Sequence, residues 1–240
     1  MRLKRILILA GTHDARLLAN RLVADGHDVT SSFAGVTTDP ILPKGKIRKG
    51  GFGGVEGLRN YVEATETDLV VDATHPFAAT ISNHAALACS DILRLERPAW
   101  MPQIGDQWVK ANYISDAVAA LDFEARVFLT IGRKEIAPFM SRPDLSGVAR
   151  MIEPPAQQLQ KNWTLLLGRP PFTLESETEL MIAHRISHLV TKNAGGADTV
   201  TKLEAARNLR LPVIMIARPA KPTVETYTDI DAIAVAIACR

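Results

Sequence analysis

The chain has 240 residues, of which 47% are hydrophobic and 22% charged, and its formal net charge is +2 at pH 7. That length can bury a sizeable core as one large domain or two small ones, and the composition argues against disorder. The charge is too mild and too scattered to imply a nucleic-acid partner. Two cysteines, Cys89 and Cys239, have neither metal-ligand spacing nor the density of a disulfide scaffold, so both are expected free and buried in a reducing compartment.

Arg2, Lys4 and Arg5 ahead of residues 6–10 look like the start of a signal peptide. The apolar run is too short, and it meets Gly11, Thr12, His13 and Asp14, so residues 4–10 predict a buried strand instead. No run approaches the roughly 18–20 apolar residues needed to cross a bilayer. A cytoplasmic protein with no membrane partner is expected.

Residues 14–25 carry helical spacing through Ala15, Leu18, Ala19, Leu22 and Val23, closed by Gly26, and 29–34 read as a second strand. Residues 44–54 are glycine-rich and basic, 55–65 helical and 68–72 a strand. A helix over 75–90 follows, with Pro76 at its first position and His75 as N-cap. A strand over 92–96 ends at Pro98. RPAWMP, residues 97–102, suits a crossover between domains. A second series follows: strands over 126–131, 149–152, 163–167, 188–191 and 212–216, with helices after GRKE and over 174–185, 198–209 and 229–238. This alternation predicts an α/β protein of two Rossmann-like halves, with mainly parallel sheets and an interdomain cleft. The domains are expected at residues 1–97 and 98–240.

In such folds ligands meet the carboxyl ends of the strands. The first turn reads AGTHDAR, whose small residues would let helix N-terminal N–H groups approach a pyrophosphate. The full GxGxxG fingerprint is absent, so an ordinary tight turn fits equally. The second strand ends in Thr30, Ser31, Ser32, Phe33 without the acid that would hold a ribose 2′-hydroxyl, and Asp28 lies at its start. With Lys46, Arg48 and Lys49 nearby, a nicotinamide cofactor would be NADP, although the basic stretch also reads as a solvated loop. GGFGG at residues 50–54 suggests close approach of backbone to a dinucleotide or a flat macrocycle, with a flexible linker as the alternative. DATHPFA, residues 72–78, either faces a ligand or only caps the following helix. In the second half TIGRKE, GRPPF and TKNAGG would gather Arg133, Lys134, Arg169 and Lys192 on one edge, a fit to a polycarboxylate.

Seven segments, AGTHDAR, GGFGG-x-EGL, DATHPFA, RPAWMP, TIGRKE, GRPPF and TKNAGGADTVTKLEAAR-x-LxLPVIMIARP, together resemble the precorrin-6A reductase family of cobalamin biosynthesis, in the family's order. Ala10 departs from the glycine that members commonly place beside Gly11. The resemblance implies NADPH-dependent reduction of one double bond of precorrin-6A, an anionic tetrapyrrole, to precorrin-6B; cobalt-precorrin-6A is the alternative substrate. On this reading the candidate roles are Gly11, Thr12, His13 and Asp14 for the pyrophosphate, and Ser31 and Ser32 with a nearby cation for the 2′-phosphate. Thr74, His75, Pro76 and Phe77 would contact the nicotinamide half, with Gly51 and Gly53 also on the cofactor. Arg133, Lys134, Arg169, Lys192, Asn193, Gly195 and Gly196 would hold the ring, and His75 or Lys192 could deliver the proton. A short-chain dehydrogenase is a poor rival, because Tyr61, Tyr113 and Tyr227 have no lysine four residues on. A non-catalytic NADP-binding sensor is the other. The six histidines offer one close pair and no metal site, and oligomeric state is unreadable.

Overall fold

A computed structural model describes residues 3–35 and 41–240. These residues form two six-stranded sheets, both parallel throughout, and two compact units, residues 3–98 with 219–240 and residues 99–218.

In the first unit β1 (Arg5–Leu9) runs into α1 (His13–Ala24), followed by β2 (Asp28–Phe33), β3 (Lys46–Lys49), α2 (Val55–Ala64), β4 (Leu69–Asp72), α3 (Ala79–Ala88) and β5 (Ile92–Leu95). Helices cover both faces of the sheet, so β1 is apolar at successive positions rather than alternating. Ile6 and Ile8 pack with Leu18 and Leu22 of α1, while Leu7 and Leu9 point the other way, toward Leu58 of α2 and Ala85 of α3. The Thr12 hydroxyl caps α1 by accepting the Ala15 N–H at 3.0 Å.

The second unit comprises β6 (Gln107–Ala111), α4 (Ile114–Ala119), β7 (Arg126–Thr130), α5 (Ala137–Met140), β8 (Ser146–Met151), β9 (Trp163–Leu167), α6 (Leu174–Ala183), β10 (His188–Lys192), α7 (Thr201–Asn208) and β11 (Pro212–Ile216). Phe128, Val148, Leu189 and Val213 from four strands meet Met181 and Leu203 in its core. Gly147 permits the close pairing of β7 and β8, since a Cβ there would lie 2.0 Å from the Val127 carbonyl oxygen.

The end of the chain differs from the expected boundary. Rather than completing the second half, β12 (Glu225–Tyr227) pairs with β5, and α8 (Ile230–Cys239) buries Ile233 and Ile237 in the core shared with α1. The expected helix over 75–90 is also shorter. Ala78 N–H donates to the His75 carbonyl at 2.8 Å, closing a separate turn, and α3 starts only at Ala79 with Ala78 as its N-cap. Pro76 therefore rigidifies that turn and not a first helical turn. Cys89 is buried as expected, whereas Cys239 is exposed; both are free.

The sheet orders are β12-β5-β4-β1-β2-β3 and β6-β11-β10-β7-β8-β9. The chain moves outward from β1 through β2 and β3, then returns to the other side of β1 with β4. In the second unit it moves outward from β7 through β8 and β9, then returns with β10. Open α/β sheets bind ligands at such reversals, beyond the carboxyl ends of the two central strands.

Candidate functional site

In the first unit the reversal lies between β1 and β4. Gly11 follows β1 at φ +134°, and a Cβ at this position would meet no atom within 4 Å. The exposed His13 starts α1, whose first N–H groups have no partner inside the helix. Thr12 is committed to the scaffold on the side-chain side: besides capping α1, its hydroxyl donates to the Ala73 carbonyl at 2.9 Å and ties the two turns together. Asp14 has the Arg97 guanidinium at 3.5 Å. This arginine was not among the expected site residues. It sets a positive charge against the one acid in the first turn of α1.

At the end of β4, Asp72 is buried and bonded on both oxygens. Arg94 Nε donates to Oδ2 at 3.1 Å, and the Thr74 hydroxyl donates to Oδ1 at 2.7 Å. Burial opposes ionisation of Asp72, but the Thr74 bond, the Arg94 bond and the charge of Lys221 outweigh it and hold its pKa below the ordinary carboxylate value. Arg94 also donates to the Pro222 carbonyl at 3.0 Å, and Lys221 pairs with Glu96. Thr74 thus turns its hydroxyl toward Asp72. Beyond it, the Phe77 N–H donates to His75 Nδ1 at 3.2 Å, so the neutral imidazole carries its proton on Nε2.

The cluster at the end of β2 divides. The Ser31 side chain is 0% exposed and, among the described residues, its hydroxyl has no hydrogen-bond partner, so it points into the unit and away from the surface where a phosphate was expected. Ser32 lies on the opposite face of the strand and accepts from Arg48 at 3.2 Å. The glycine stretch that follows β3 is open: a Cβ at Gly50, Gly51, Gly53 or Gly54 would meet nothing within 4 Å.

In the second unit the parallel sheet does bring Arg133 and Lys134 after β7, Arg169 after β9 and Lys192 at the end of β10 to one edge. Two of these cations come with carboxylates. Arg133 lies 3.3 Å from Glu153, and Lys192 pairs with Glu135. Arg133 and Lys192 on this edge thus each have an acidic neighbour from the same unit. Asn193 is used structurally: its amide receives the Trp100 N–H at 2.8 Å and donates to the Trp100 carbonyl at 3.0 Å. Trp100 Nε1 donates to the Gly196 carbonyl at 2.9 Å, and Arg218 donates to the Asn193 carbonyl at 2.8 Å. Gly195 and Gly196, at φ +69° and +84°, let the loop double back between these anchors. RPAWMP is thus a brace for the TKNAGG loop as well as a crossover. Behind the edge, Arg150 lies 2.7 Å from the buried Glu177 and stacks 3.7 Å from the Phe172 ring of GRPPF. No sequence motif flagged this pair, because its members lie on different elements and neither adjoins a glycine turn.

Among the described residues no group of three or more His, Cys, Asp or Glu could hold a metal, and no helix is long and apolar enough to cross a membrane.

A family model described as precorrin-6x reductase CbiJ/CobK matches residues 5–238. The chain is 47% identical to a precorrin-6A reductase of Rhodococcus erythropolis, over 94% of each protein. It is 40% identical to a precorrin-6A reductase of Rhodobacter capsulatus, covering 95% of this chain and 94% of that protein. Among solved structures it is similar to a CobK precorrin-6A reductase, with a TM-score of 0.92 and 39% identity over 99% of this chain and 97% of the other. The match runs from the first strand to the last helix, and the chain belongs to the precorrin-6x reductase family.

Proposed function

We propose that the protein reduces a ring double bond of precorrin-6A to give precorrin-6B in cobalamin biosynthesis, with NADPH as reductant. The end-to-end similarity to precorrin-6A reductases carries this reading. The first unit fits a dinucleotide: a Cβ at Gly11 beyond β1 would meet no described atom within 4 Å, helix α1 starts there, and among the described residues the end of β2 offers Ser32 and Arg48 with no acid. When bound, NADPH supplies a hydride from its nicotinamide.

The backbone N–H groups of Gly11, Thr12, His13 and Asp14 hold the pyrophosphate, while Arg97 offsets the Asp14 charge. The turn of His75, Pro76 and Phe77, held by its own hydrogen bonds, orients the nicotinamide half and excludes water. In the second unit Lys192, Arg133, Lys134 and Arg169 hold acetate and propionate groups of the ring. For Lys192 and Arg133 the incoming carboxylates compete with Glu135 and Glu153. The proton for the neighbouring carbon is held by His75 Nε2 or by the Lys192 ammonium.

The test is to mix the protein with NADPH and precorrin-6A and follow cofactor absorbance. Oxidation that requires both components is expected, with precorrin-6B as product. No oxidation while the ring binds would leave a sensor and overturn the reductase reading. Replacing each proton candidate by alanine separates the two roles: the donor's loss lowers kcat by about a hundredfold. Near-normal turnover in both His75→Ala and Lys192→Ala would leave positioning alone.

A further inference from the structure

We infer that Arg48 reads the 2′-phosphate of the cofactor and so sets the preference for NADPH over NADH, an inference that rests on the cofactor reading above. The parallel register of β2 and β3 places Arg48 opposite Ser32 at the end of the sheet where a ribose-binding acid would otherwise stand. Its guanidinium is held by neutral groups. One terminal nitrogen donates to Ser32 Oγ at 3.2 Å and to the Gly50 carbonyl at 2.6 Å, and the other donates to the Gly51 carbonyl at 2.8 Å. The Phe52 ring lies under it at 3.7 Å, with Tyr61 at 5.0 Å.

These contacts fix the plane of the group without neutralising it. Among the described residues no carboxylate pairs with Arg48, whereas Lys46 is occupied by Asp28 at 2.7 Å, Arg94 by Asp72 and Arg97 by Asp14. Lys49 is opposite Phe33 and on the other face of its strand. Three of the guanidinium's five N–H donors are used, leaving two, in a fixed fork, for phosphate oxygens. The two glycines whose carbonyls hold it are themselves uncrowded, since a Cβ at Gly50 or Gly51 would meet nothing within 4 Å among the described residues. Such a preformed, uncompensated cation discriminates for a phosphate by charge and geometry together.

The experiment titrates adenosine 2′,5′-bisphosphate and 5′-AMP calorimetrically into the full-length protein and its Arg48→Ala and Arg48→Lys variants. The wild type should bind the bisphosphate about tenfold or more tighter than 5′-AMP. Arg48→Ala should erase that preference while its affinity for 5′-AMP stays, and Arg48→Lys should keep part of it as charge without the fork. In turnover the ratio of KM for NADH to KM for NADPH should fall by about tenfold in Arg48→Ala. A retained preference in Arg48→Ala would overturn the inference. Equal loss of both nucleotides would also overturn it, making Arg48 a prop for the glycine loop. A wild type that binds both nucleotides equally and still oxidises NADPH would defeat the inference alone. A wild type that binds neither would defeat the cofactor reading and the inference with it.

Discussion

The ion pair at the end of β4 and the one at the end of β10 stand at the same station in their sheets, each beside the reversal of strand order. They are built for different purposes. Asp72 and Arg94 are buried, with side-chain exposures of 1% and 7%, and every bond they make points into the frame of the first unit. Lys192 and Glu135 are more open, at 16% and 37%, as the proposed exchange of Glu135 for a ligand carboxylate requires. At this station the first unit buries its charges, and the groups proposed there for a ligand are backbone N–H groups, with Arg48 as the side-chain exception. The second presents charged side chains and keeps its backbone braced by Trp100 and Arg218. Backbone donors suit a pyrophosphate of fixed shape, whereas long cationic side chains suit carboxylates on flexible arms.

Four measurements would break or sharpen this contrast. Asp72→Ala should be the most damaging, because it leaves Arg94 buried without its partner; a loss of about 3–5 kcal/mol is expected in urea unfolding. An unchanged midpoint would show that the pair is not structural. The same pair should give the first unit an acid sensitivity. The pKa of Asp72 is depressed by folding, so its contribution is fully present above the ordinary carboxylate value near 3.8 and is lost as pH falls through the lower folded value. Asp72→Asn should flatten that part of the stability profile.

A smaller effect is expected from Thr12→Ala, which removes the cap of α1 and the link to Ala73 and should cost about 1 kcal/mol. Its binding of 5′-AMP should weaken only modestly, since the proposed phosphate donors are backbone groups. Smallest in stability are Lys192→Ala and Glu135→Ala, each expected below about 1 kcal/mol for a partly exposed pair. Their effects on turnover should diverge: Lys192→Ala should raise KM for the ring about tenfold, and Glu135→Ala should lower it or leave it unchanged. A stability loss at Lys192 matching that at Asp72 would erase the distinction between frame and site.

The central strands and their helices were legible because buried parallel strands are apolar at successive positions and α1 repeats at helical spacing. The strands that escaped, β3, β6 and β12, are all at sheet edges. KIRK, QWVKA and ETY carry no apolar run, since an edge strand buries less of itself. The same limit hid the return of the tail. Its helix was readable from composition, but which unit it would complete depended on a three-residue pairing with β5.

The site divides along the same line. By itself the sequence determined the turns: where glycine, proline and polar residues follow an apolar strand, the chain must leave the sheet at its carboxyl end, and those positions emerge in order. It also determined the family, through segments whose spacing is too specific for any one turn to carry. Only the tertiary structure decided which polar side chains are engaged inward and which stay exposed. Ser31 and Ser32 are adjacent in sequence, yet strand alternation buries one hydroxyl and sets the other against Arg48. Asn193 looked like a ligand group until Trp100, distant in sequence, claimed both ends of its amide. Hydrogen-bond partners of this kind lie on other elements, and local pattern carries no information about them.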